Sequence, residues 1–201
     1  MVRRWLVLVL LAVVGWSTAA LAFNLLETAG PAGAQQVALT FGFGLATTEL
    51  GEAGTWYLVP QGRVVIGLLQ GLDLGIHSGW STEIGTGAVN WLGTLVDVKI
   101  TSVHAPDMYT LAWGAGGGYG LDFFGHGWGV FVQILFESRS PLLPIFVNYR
   151  SILPFDGTTF VAEGYLAGGL CLRLAPIARL LLVVDVYHGL ASLGLGLEIA
   201  F

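Results

Sequence analysis

Charge is what this 201-residue chain has least of: Asp, Glu, Lys and Arg together make up 10% of it. A soluble domain carries roughly a quarter. The eight Lys and Arg form no cluster and the formal net charge is -5, which excludes the phosphate-neutralising surface that nucleic acid requires. The single cysteine, Cys171, cannot close an intrachain disulfide, so an oxidising compartment would add no covalent scaffold. Beyond residue 22 no stretch offers about 20 uninterrupted apolar residues, the length of a transmembrane helix. Arg63, Asp73, Asp97, Lys99, Gln133, Glu163, Arg173 and Asp185 recur inside the apolar segments, which argues against a helical membrane protein.

What is abundant is apolar residues (55%, mean hydropathy +0.76) and glycine, 30 in all. Met1 to Ala22 reads as a cleavable signal peptide. Arg3 and Arg4 form its positive start, Trp5 to Trp16 its apolar stretch, and Ala20-Leu21-Ala22 its small-x-small cleavage site. The alternative, a retained anchor, has too short an apolar core. Residues 23–35 read as a periplasmic lead-in, and 36–201 as the folded domain. An exported, apolar chain without helical spans leaves the closed β-barrel, the other structure that satisfies its backbone in lipid.

From Val37 onward apolar residues alternate with small or polar ones in short runs broken by turn signals such as Gln70-Gly71 and Asp156-Gly157. Counting the runs predicts an all-β, transmembrane, antiparallel up-and-down barrel of about ten strands, with eight as the alternative if the irregular seventh run and one neighbour are demoted. Pro60 predicts an irregular rim to the second strand. The last eleven residues, ASLGLGLEIAF, alternate without a break and stop on Phe201.

That ending, with the signal and the repeated strands, resembles a small bacterial outer-membrane β-barrel protein. The resemblance implies that Leu197, Ile199 and Phe201 form an assembly signal for the barrel-assembly machinery, and that outer-membrane lipid surrounds the wall. GRVVIGLLQGLDLGIHSG, with DVKI after the next loop, resembles a loose class of outer-membrane transport barrels, some linked to breakdown of aromatic compounds. It implies passage of small apolar or mixed solutes.

Threading the strands by their alternation points Arg63, Asp73, Asp97, Lys99, Glu137, Arg150, Glu163, Arg173, Asp185 and Glu198 into the lumen. There they either line a narrow polar path or pair into a filled interior. Trp56, Trp80, Trp91 and Trp128, with Tyr149 and Tyr187, fall near one end, as an interfacial aromatic belt requires. The expected function is a small-solute transporter or channel. The alternatives are a plugged structural or surface-interaction barrel, and a rim hydrolase using His188 and Ser192, for which the sequence supplies no matching acid. No catalytic residue, cofactor or metal site is expected, since His77, His104, His126 and His188 are scattered over the threading.

Overall fold

The computed structural model describes residues 27–47, 55–105, 107–119, 128–140, 142–155, 163–187 and 190–201. Ten strands run β1 (Val37–Thr47), β2 (Trp56–Leu69), β3 (Leu72–Glu83), β4 (Val89–Ala105) and β5 (Tyr109–Tyr119). They continue with β6 (Trp128–Ser138), β7 (Ile145–Pro154), β8 (Glu163–Ala175), β9 (Ala178–Tyr187) and β10 (Leu190–Ala200). Each pairs antiparallel with its chain neighbours, and β1 pairs with β10, so the sheet closes on itself. The eight-strand alternative falls, because β7 is a full ten-residue strand paired along both edges.

Alternation decides which way each wall residue points. On β1, Phe41, Phe43 and Leu45 are exposed outside while Thr40, Gly42 and Gly44 are buried inside. On β6, Val130, Val132 and Ile134 are outside and Phe131, Gln133, Leu135 and Glu137 inside. Among the described strand residues no Asp, Glu, Lys or Arg takes an outward position between the rims. The molecule is therefore inside-out relative to a soluble domain.

Local irregularities have local causes. Gly71, at φ +80° in the β2–β3 turn, takes a conformation that L side chains rarely adopt. A register shift between Gly67 and Leu69 turns both Leu68 and Leu69 outward, whereas strict alternation points Leu69 in. Pro60, lacking a donor, leaves Val59 and Pro60 without partners on β3. β2 nonetheless continues to Trp56 in unchanged register, so the expected irregular rim is limited to those two positions.

The end of the barrel at which β1 begins and β10 ends, the termini end, also carries the turns at residues 70–71, 107–108, 142–144 and 176–177; the strand ends that the other connections join lie at the opposite end. The segment before β1, from Glu27, does not stay outside. It is a periplasmic lead-in on the sequence, but it runs inside the barrel: Glu27, Thr28 and Ala29 are all buried. It leaves by way of Gly33 (φ +94°), where it crosses Gly67 so closely that a Cβ on Gly67 would collide with the Gly33 backbone. Two backbone hydrogen bonds hold the crossing, Gln35 N to Gly67 O (2.8 Å) and Gly67 N to Gln36 O (2.9 Å).

Candidate functional site: a charged lumen closed by the chain itself

An eight-stranded barrel has an interior that side chains can just fill, and ten strands enclose more. Two groups of residues occupy the extra space. The first is apolar: Leu95, Phe131, Phe146, Tyr165, Leu181 and Val183 belong to one buried cluster, which reaches Val59, Leu92 and Ile152 toward the end away from the termini. The second is ionic and is built around the inserted segment.

Glu27 is at its centre. Its Oε2 accepts from Gln133 Nε2 (3.0 Å) and Arg150 Nη2 (3.2 Å), and its Oε1 lies 2.7 Å from Arg63 Nη2. Arg63 also donates to both oxygens of Asp97 at 2.7 and 2.9 Å. Arg150 donates from Nε and Nη2 to Gln133 Oε1, at 3.0 and 2.7 Å, and its guanidinium sits 4.1 Å above the Phe131 ring. Nearer the termini, Lys99 Nζ donates to the carbonyls of Thr28 (3.1 Å) and Gly30 (2.8 Å) and lies 3.3 Å from Asp73. The amide of Gly30 donates to Glu137 (2.8 Å) and that of Ala32 to Asp73 (3.2 Å). Arg179 joins Glu137 (2.9 Å), Thr28 (3.0 Å) and Glu198 (Nε, 2.8 Å). Seven of the ten strands thus hold residues 27–32 or the partners that grip them.

Charges taken out of water persist only when paired and hydrogen-bonded. Among the described residues, Arg150 has one carboxylate within ion-pair distance, Glu27. The wall thus carries a buried cation whose counter-charge comes from outside the wall.

Of the lumen charges read from the sequence, Arg63, Asp73, Asp97, Lys99, Glu137, Arg150, Asp185 and Glu198 are buried inside. All but Asp185 belong to the network; Asp185 accepts instead from Ser192 Oγ (2.8 Å). Arg173 departs from expectation. It stands at the rim beside the β8–β9 turn, exposed, where the wall no longer encloses it. The Glu163 side chain lies outside the described ones. Arg179 was not among the residues read from the sequence; β9 begins at Ala178, directly after the turn at Pro176, and so carries it. The sequence reading also missed Glu27, whose signal was its isolation: it is the only charged residue between Arg4 and Glu49.

A cavity of about 620 Å³ opens at the termini end and reaches Arg63 and Lys99 past Thr28, Gly30, Glu137 and Arg179. Among the described residues no group of three His, Cys, Asp or Glu could hold a metal ion. His77 Nε2 meets Gln61 Oε1 at 2.9 Å. Ser192 faces the lumen, not a rim hydrolase's outer face, and His188 and His126 lie outside the described residues.

Four aromatics form a row on the outer surface at the end away from the termini. Trp80 pairs across strands with Trp91, and Tyr119 with Trp128. Trp91 stacks on Tyr119 and Tyr119 meets Trp128 edge-on, both with centroids 5.6 Å apart. Trp56 begins β2 at the same end. Tyr149 falls outside this row, being mid-strand opposite Ile134, and the Tyr187 side chain is not among those described.

No protein-family model and no curated relative matches the sequence. Among solved structures the chain is similar to a de novo designed transmembrane β-barrel, at 12% identity over 84% of this chain and 97% of that one, TM-score 0.38. It is similar to the N-terminal β-barrel domain of Pseudomonas aeruginosa OprF (12%, 84% and 99%, TM-score 0.38). It is also similar to Ail, the attachment invasion locus protein of Yersinia pestis (7%, 84% and 99%, TM-score 0.30).

Proposed function

We propose that this chain is a bacterial outer-membrane β-barrel, exported with cleavage after Ala22, whose lumen is closed at rest by its own residues 27–32. In that state it acts as a plugged structural or surface-interaction barrel. The observation that carries this reading is Glu27, buried among Arg63, Gln133 and Arg150 across the lumen. Membrane insertion is supported by the apolar exterior, since Phe41, Phe43, Val132 and Leu193 are each more than half exposed. A continuous surface of that kind is tolerated in lipid and not in water. The outer-membrane lipid and, through the C-terminal strand, the barrel-assembly machinery are its expected partners.

The transport reading has one observation in its favour, the cavity that leads from the termini end to Arg63 and Lys99. Under it, withdrawal of residues 27–32 opens a path for small solutes. Planar-bilayer conductance of the mature protein and of a variant lacking residues 23–35 separates the two. A silent mature protein is expected in either case. A silent deletion variant supports the structural barrel, whereas a conducting one supports a gated path. Steady open-channel conductance of the intact mature protein would contradict the closed lumen.

A further inference from the structure

The residues around Glu27 are arranged as a receptor would be. Their donors come from three wall strands: Arg63 on β2, Gln133 on β6 and Arg150 on β7. Each is fixed independently of the carboxylate it meets. Arg63 is held by the two hydrogen bonds it donates to Asp97, and Arg150 by two to Gln133 and by the face of Phe131. A bracket of preorganised guanidinium and amide donors is the chemistry that recognises a carboxylate. The acceptor, by contrast, comes from a segment outside the sheet.

The bracket also has more donors than Glu27 uses. Arg63 Nε and Arg150 Nη1 are buried and meet no acceptor among the described residues. Asn148, next along the inner face of β7 from Arg150, is fully buried with neither side-chain polar atom paired. Without Glu27 the nearest charges are Arg63 and Arg150 against Asp97, an excess of one positive charge. The cavity at the termini end already reaches Arg63.

We propose that this bracket is a binding site for a small external carboxylate, and that Glu27 occupies it as the chain's own surrogate ligand. The inference rests on the reading that residues 27–32 fill the lumen, and adds the class of molecule that can take their place: a monocarboxylate bound through both arginines. Neutral amides of the same shape leave the excess charge uncompensated, and ammonium ions are repelled by it.

The test uses the full mature barrel in detergent with Glu27→Ala, followed by the temperature at which it loses its heat-resistant electrophoretic form. Acetate and butyrate are titrated at constant ionic strength against chloride, acetamide and ethylammonium. The expected result is a saturable rise in that temperature with the carboxylates alone. The unaltered protein should not respond, and neither should Glu27→Ala combined with Arg150→Gln. An equal rise with chloride or acetamide overturns the proposal, as does a carboxylate response that survives Arg150→Gln. If Glu27→Ala does not fold by itself, folding yield in acetate against acetamide reads the same site: a selective rescue supports it and equal yields overturn it. Conductance separates this claim from the occlusion it rests on. A silent Glu27→Ala barrel that still binds acetate keeps the site while denying that Glu27 alone closes the path. A conducting one that ignores acetate keeps the occlusion and removes the site.

Discussion

Arg150 shows at the scale of one side chain why the inserted segment is structural. It is 2% exposed and its one carboxylate partner among the described residues is Glu27, 123 positions earlier in the chain. Removing one member of a buried pair leaves the other uncompensated, at a cost of about 3–5 kcal/mol. Glu27→Gln is therefore expected to lower the unfolding free energy by that order, read as a lower urea midpoint in tryptophan fluorescence. A midpoint like that of the unaltered protein would show that Arg150 does not depend on it. Inner-wall glycines make the complementary point. A Cβ on Gly116 would sit 2.7 Å from Phe131 Cζ, and one on Gly75 would collide with the Arg63–Asp97 pair. Gly62, on the outer face, has nothing closer than 3.9 Å. Gly116→Ala should destabilise by about 1–3 kcal/mol through overpacking. Gly62→Ala should stay within about 0.5 kcal/mol, as surface changes do. Equal effects would refute crowding as the reason for the glycine run on β5.

Among the elements, β10 and β1 close the barrel. Two backbone hydrogen bonds join their ends, Val37 N to Phe201 O (3.2 Å) and Phe201 N to Val37 O (2.8 Å), while the Phe201 side chain stays exposed. Its ring thus contributes little to the folded state. Phe201→Ala is expected to leave refolding in detergent nearly unchanged and to reduce the heat-modifiable fraction recovered from cell envelopes several-fold. Equal losses in both settings would make the ring a folding residue and not an assembly signal. The strands were legible because period-two alternation records which face meets lipid and which meets the interior. Val130, Val132 and Ile134 against Phe131, Gln133 and Leu135 announce β6 without tertiary information. The inserted segment was not legible, since ETAGPAGAQQ has no period and its contacts with the wall lie 31 to 151 residues away. Arg179 was hidden for a local reason: it stands second in β9, directly after the two-residue turn at Pro176-Ile177, where alternation has barely begun.

At the scale of the whole molecule, polarity is inverted. Paired charges and an apolar cluster fill the inside, and an apolar wall with an aromatic row at one end faces outward. An inverted barrel of ten strands has more interior than its wall side chains fill, and residues 27–32 supply the remainder together with the carboxylate that pairs with Arg150. That claim is tested most directly at Ala29, which is fully buried beside Ala112 and Leu135. Cys171 is replaced by Ala to remove the other thiol, Ala29→Cys is introduced, and labelling by a membrane-impermeant maleimide is timed in the folded and urea-unfolded barrel. A lumen closed by its own segment predicts labelling slowed by orders of magnitude in the folded state, with full reaction on unfolding. Labelling of the folded barrel at the unfolded rate would put residues 27–32 outside the lumen and contradict the account.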